Sequence, residues 1–136
     1  MRSRTRQRRY RLKEQAQKRK KAYRLGHYAE LIAAFWLIMK GYRILKRRYG
    51  ARGGEIDLVI ARGKLIAFVE VKARSDFDAA LEAIDETKSR RLGKAIEDWI
   101  FRHQPPYGHD FRGDAVIIVP WRFPRHIEDA FELPLD

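Results

Sequence analysis

The stretch Gly54-Glu55-Ile56-Asp57-Leu58-Val59-Ile60-Ala61-Arg62-Gly63-Lys64-Leu65-Ile66-Ala67-Phe68-Val69-Glu70-Val71-Lys72-Ala73 decides the fold. Two runs rich in Ile, Val and Phe, at 55–61 and 65–73, flank a tight-turn signal at Arg62-Gly63-Lys64, so they read as antiparallel neighbours. Both runs break the rule that central strands are apolar. The first opens with two carboxylates; the second carries an acid and a base at its middle. Because side chains alternate across a strand, Glu55 and Asp57 share one face, and so do Glu70 and Lys72. The turn sets Asp57 opposite Val69 or Glu70, which lets Asp57, Glu70 and Lys72 share one patch.

Before this hairpin, residues 42–48 read as a further strand and 49–54 as a turn. Nearly every position from 26 to 40 is apolar, with Gly41 as a left-handed stop, which predicts a helix buried on most sides. Glu30 stands in its first turns. An unpaired carboxylate there is costly and needs a cation, a metal or a hydrogen-bonding partner. After the polar Ser75-Asp76-Phe77-Asp78, the residues Leu92, Ala95, Ile96, Trp99 and Ile100 repeat at helical spacing, ending before Pro105-Pro106. Strands at 114–119 and, at an edge, 127–133 follow. The fold class is therefore α/β, a small mixed-sheet sandwich.

The chain has 136 residues, one domain's worth, and 45% of them are apolar, enough for a core. It contains no Cys, which excludes disulfides, zinc-thiolate sites, iron-sulfur clusters and cysteine nucleophiles. Residues 1–24 hold 12 of the 30 Lys and Arg and one of the 18 acids, Glu14, so the other 112 residues, with 18 bases against 17 acids, are close to neutral. The division gives a basic arm at 1–24, expected to be disordered or a frayed helix, and a folded domain at 25–136. Arg8, Arg9, Lys20 and Lys21 in the arm suit an electrostatic clamp on phosphates; a solvated tail that aids solubility is the plainer reading. The only apolar run after the basic start, at 31–39, is nine residues with no cleavage-like pattern, so no export signal or membrane span is expected and the protein reads as cytoplasmic.

Two carboxylates and an ammonium in one patch admit a structural salt bridge, yet charges held in a sheet for stability alone are poorly compensated. They also suit a hard divalent ion, Mg²⁺ or Mn²⁺, with Lys72 holding or deprotonating an attacking water. His27, His103, His109 and His126 lack a paired ligand spacing and read as cap or surface residues. No helix follows the Gly50 to Gly54 segment, which argues against a Walker-type loop.

An acid, then Asp, then Glu-x-Lys about a dozen residues later across a hairpin resembles the PD-(D/E)-x-K pattern of the restriction-endonuclease-like fold. More narrowly, Gly26-His27-Tyr28-Ala29-Glu30, Lys40-Gly41-Tyr42-Arg43-Ile44-Leu45, Gly54-Glu55-Ile56-Asp57-Leu58, Phe68-Val69-Glu70-Val71-Lys72-Ala73-Arg74 and Arg125-His126-Ile127-Glu128-Asp129-Ala130-Phe131 resemble the YraN family of uncharacterised bacterial proteins. The resemblance spans about residues 25–132 and omits the arm. It implies catalytic roles for Asp57, Glu70, Lys72 and Glu30, metal ligation by Asp57, Glu70 and Glu30, and a supporting place for Glu55. Lys88, Arg91 and Arg74 become candidate phosphate contacts. Arg112-Gly113-Asp114 departs from the Arg-Phe-Asp expected of the family, which leaves Asp114 a structural residue.

Two functions follow as expectations. One is a Mg²⁺- or Mn²⁺-dependent endonuclease or resolvase-like phosphodiesterase acting on nucleic acid, DNA rather than RNA. The other is a non-catalytic nucleic-acid-binding protein on a nuclease scaffold. Trp36, Trp121 and Phe123 suit either the core or an interface, and a homodimer would bring two sites to the two strands of a duplex.

Overall fold

A computed structural model of the chain describes residues 2–51, 53–85, 90–106 and 108–134, the side chains of residues 2, 3, 19–25, 85, 90 and 91 excepted. Helix α1 (Arg2–Met39) leads into strands β1 (Arg43–Ala51), β2 (Gly54–Arg62) and β3 (Leu65–Ala73). Helices α2 (Phe77–Asp85) and α3 (Arg90–His103) follow, then β4 (Asp110–Ile118) and β5 (Arg125–Phe131). The five strands form one sheet in sequence order, with β3 and β4 parallel and the other neighbours antiparallel. The expected mixed-sheet α/β architecture is therefore present.

The β2–β3 hairpin forms as its turn residues dictate. Arg62 pairs with Leu65, leaving Gly63-Lys64 as the turn, and Gly63 takes φ 59°, which glycine adopts without steric cost. One face of the sheet packs Leu58, Ile60, Ala67, Val69 and Val116 against Ala33, Ala34 and Leu37 of α1. Small residues on the helix let it lie close to the strands. The opposite face packs Val59, Ala61, Ile66 and Phe68 against Leu92, Ala95, Ile96 and Trp99 of α3, the ring pair Phe68–Trp99 meeting edge to face at 5.5 Å. Helix α2 covers Ala115 and Ile117 beside it.

Two expectations about the first helix need correction. The helix read at 26–40 begins at Arg2 and so takes in the basic arm. Arg, Lys, Gln, Glu and Ala all favour helix and no Pro interrupts them. That helix is also not buried on most sides: Phe35, Ile38 and Met39 are exposed, because α1 packs against a single sheet face. Helix α2 was unread. Asp76 caps it, its Oδ1 accepting the Ala79 N–H at 2.8 Å, and Phe77, Ala80, Leu81 and Ile84 supply its apolar stripe.

His126 is likewise not a surface residue. Its side chain is 1% exposed, and Nε2 lies 2.7 Å from Oδ2 of the fully buried Asp114. Lys40 Nζ donates to His126 Nδ1 at 2.6 Å, so Nε2–H is the donor to Asp114. Arg112 donates to both Asp114 oxygens at 2.7 Å, and the Asp129 N–H adds a fourth bond at 3.1 Å. Burial pushes the Asp114 carboxyl up, but the bonds from His126, Arg112 and Asp129 outweigh it and hold its pKa below the usual value. The departure at Gly113 is explained too: a Cβ there would come within 2.6 Å of the Phe131 ring, which packs over the glycine in the core.

The Asp114 network ties β4 to β5 and to the end of α1. Replacing Asp114 by Asn removes the charge that Arg112 neutralises, and the expected loss is about 3 kcal/mol in urea unfolding at pH 7. A depressed carboxyl stabilises above its unfolded pKa and loses that stabilisation as pH falls. The difference between wild type and Asp114→Asn should therefore shrink towards pH 3.

Candidate active site

The β2–β3 ladder runs from Arg62↔Leu65 to Leu58↔Val69, and there the strands part. Beyond that point the Asp57 carboxylate takes the place of a strand partner: its Oδ2 accepts the Val71 N–H at 2.8 Å. Side-chain alternation in β2 slips at the same place, since Ile56 packs with Val59 and Ala61 whereas Leu58 packs with Ile60. Asp57 is thus held at a break in the sheet rather than within it.

A cleft of about 1070 Å³ opens at this break. Glu30, Glu55, Asp57, Glu70, Lys72 and Arg74 all line it. Carboxylate oxygens of Glu30, Glu55 and Asp57 lie within 4.8 Å of one another. Glu70 faces the same cleft but is paired with Lys72, Oε1 to Nζ at 3.0 Å. The tight acidic cluster thus includes Glu55, expected only as a supporting residue, in the place expected for Glu70.

Glu30 has the cation that its position in an apolar helix demanded. Arg48 Nε lies 2.5 Å from its Oε2, and the same guanidinium contacts His27 Nδ1. Arg48 went unrecognised in the sequence, although the need for a cation beside Glu30 was legible; β1 offers Arg43, Lys46, Arg47 and Arg48, and only the fold selects among them.

Burial pushes the Asp57 carboxyl up to about 7, with the Glu70 and Glu30 charges adding to the rise and the Val71 N–H and Lys72 opposing it. Three converging carboxylates, one of them reluctant to ionise, are an electrostatic arrangement that a divalent cation relieves. All donors are hard oxygens, the set that Mg²⁺ and Mn²⁺ accept, so the residues present fit such an ion.

The candidate phosphate contacts are dispersed. Arg74 is exposed at the cleft, its guanidinium donating to the Ala73 carbonyl at 2.7 Å. Arg8 and Arg9 are exposed on α1, about 32 Å along the helix axis from Glu30 at 1.5 Å per residue. Lys20 and Lys21 lie on α1 and Arg91 in the first turn of α3, with side chains outside the described set. Lys88 lies outside the described residues. No helix among the described residues is long and apolar enough to cross a membrane.

The model of a family described as "Uncharacterised protein family UPF0102" matches residues 29–118, which include Glu30, Arg48, Glu55, Asp57, Glu70 and Lys72. The chain is 52% identical to a UPF0102 protein of Methylobacterium nodulans over 118 residues, covering 87% of this chain and 92% of the relative. It is 48% identical to one of Methylorubrum extorquens over 85% of this chain and 91% of the relative. A third, from Mesorhizobium japonicum, is 51% identical over 83% and 90%.

Between pH 4 and about 7 the folded protein keeps on Asp57 a proton that the unfolded chain releases, so this group's contribution to stability falls as pH rises through that window. Each unit of pKa rise corresponds to about 1.4 kcal/mol. Asp57→Asn should therefore flatten the fall and make the metal-free protein more stable than wild type at pH 8, read by urea unfolding in chelator at pH 5 and pH 8. Parallel pH profiles would show that Asp57 is not the strained acid.

Proposed function

Since this chain belongs to the uncharacterised family UPF0102, whose description states no activity, we propose its function from the cleft itself: a divalent-metal-dependent phosphodiesterase, an endonuclease or resolvase-like enzyme acting on DNA. The observation that carries this reading is the convergence of Glu30, Glu55 and Asp57 where β2 and β3 part, with the Glu70–Lys72 pair lining the same cleft. The helix-hairpin arrangement is compatible with the restriction-endonuclease-like fold that the Asp57 and Glu70-x-Lys72 pattern resembles.

A Mg²⁺ or Mn²⁺ ion held by Glu30, Glu55 and Asp57 would supply a Lewis acid for the scissile phosphoryl group and a lower pKa for the attacking water. The chain's own groups do the positioning. The Val71 N–H fixes one Asp57 oxygen, and Arg48 fixes Glu30. Glu70 orients the Lys72 ammonium, which holds the attacking water or steadies charge on the phosphate. Arg74 stands at the cleft to receive a neighbouring phosphate. The exposed bases of α1 extend this surface, Arg8 and Arg9 lying close to one turn of B-DNA from Glu30.

One observation favours a second reading. Arg48 on Glu30 and Lys72 on Glu70 already neutralise two of the four acids, as a non-catalytic nucleic-acid binder would need.

Incubation with linear, branched and single-stranded DNA in Mg²⁺, Mn²⁺ or chelator separates the two. Cleavage is expected with either ion and not in chelator, and Asp57→Asn and Lys72→Ala should each reduce it by at least about 100-fold. Binding without cleavage in every ion would establish the second reading instead. Removal of residues 1–24 should weaken binding to all DNA forms and flatten the slope of log K against log salt by several units, while any cleavage persists at low salt. An unchanged slope would mark the segment as inert.

A further inference from the structure

The cleft that holds the acids extends to a loop the catalytic reading does not use. Between β4 and β5 the chain runs Pro120-Trp121-Arg122-Phe123-Pro124, and Trp121, Arg122 and both prolines line the same cleft as Asp57, Lys72 and Arg74. The loop is held in place. Prolines bracket it, the Arg122 N–H bonds the Val119 carbonyl at 3.3 Å, and Phe123 stacks on Trp36 of α1 with centroids 5.8 Å apart and planes at 29°. At its tip Trp121 has φ 64°, a left-handed conformation that costs a bulky residue strain, and the residue is fully exposed. Among the described residues no ring stacks on it.

An indole presented in this way, on a braced loop, next to arginines and beside a phosphate-directed acidic cleft, matches the elements of a single-strand platform: an aromatic face for a base and cations for the backbone. In a continuous duplex both faces of each base are already covered by its neighbours, so such a platform has nothing to engage except where strands separate.

We propose that Trp121 is a stacking platform for an unpaired DNA base, and that the cleft takes DNA with single-stranded character next to the scissile phosphate, as at a flap or a branch point. The inference rests on the nucleic-acid reading of the cleft and names its substrate class. Phe123 braces the loop through Trp36, while Trp121 meets the base. Arg74 and Arg122 lie against the flanking phosphates, and the Glu30, Glu55 and Asp57 cluster marks the position of the scissile one.

The test measures binding alone, with the full chain in chelator, using fluorescence anisotropy on a labelled flap duplex and a fully paired duplex of the same length. Trp121→Ala is expected to weaken flap binding by about 5- to 100-fold and duplex binding by less than about 2-fold, with Trp121→Phe restoring most of the loss. The unpaired flap should also quench tryptophan fluorescence in wild type, and markedly less in Trp121→Phe. Equal losses on both substrates, or no loss on either, would overturn the platform and leave the cleft reading standing. A dimer in sedimentation that Trp121→Ala converts to monomer would assign the indole to a subunit interface and overturn it too. Failure of the wild type to bind either substrate would remove the nucleic-acid reading itself.

Discussion

The hydrogen bond from the Val71 N–H to the Asp57 carboxylate is the constraint on which the site depends. An antiparallel ladder that continued past Leu58↔Val69 would leave no gap between β2 and β3. By accepting a strand N–H with a side chain, Asp57 satisfies the backbone where the strands part and is itself fixed at the mouth of the gap. The cost is visible in its carboxyl, pushed up to about 7 by burial and by Glu70 and Glu30. The proposed cation would relieve this crowding of like charges beside the cleft.

The rest of the fold supports this break. α1 packs small residues on the sheet, which brings Glu30 within reach of Asp57 and Glu55. α3 fills the opposite face with Trp99 against Phe68 and leaves the end of the sheet open. On the far strands, Asp114 is bound by Arg112, His126 and the Asp129 backbone, so β4 and β5 are locked to α1 through Lys40. Two of the charge clusters among the described residues thus differ in their physics. Those around Asp114 are buried and matched by bonds, whereas those around Asp57 crowd like charges at the mouth of a cleft.

Much of this was legible in the sequence because it is local. The hairpin followed from the Ile-, Val- and Phe-rich runs flanking the Arg62-Gly63-Lys64 turn, α3 from the spacing of Leu92 to Ile100, and the candidate acids from carboxylates standing in apolar strands. What stayed hidden depends on distant pairing. Nothing near His126 announces that it is buried, since its partner Asp114 lies twelve residues away on another strand. Arg48 could not be chosen from the four bases of β1 before the strand was placed beside α1. Glu55 and Asp57 share a face by ordinary alternation, but the slip before Leu58 that turns both towards Glu30 of α1 leaves no compositional trace. Helix α2 had a cap in Asp76 and an apolar stripe from Phe77 to Ile84, but in only nine residues the polar start dominated the reading.

The claim at the centre is that the acids at the strand break form one divalent-cation site. Titration of Mn²⁺ into the chelator-treated protein, followed by electron paramagnetic resonance of the free ion at pH 7.5, tests it without reference to any substrate. Saturable binding by the wild type, lost in Asp57→Asn and weakened in Glu55→Gln, is the expected result. Equal Mn²⁺ uptake by wild type and Asp57→Asn, or none by either, would contradict it.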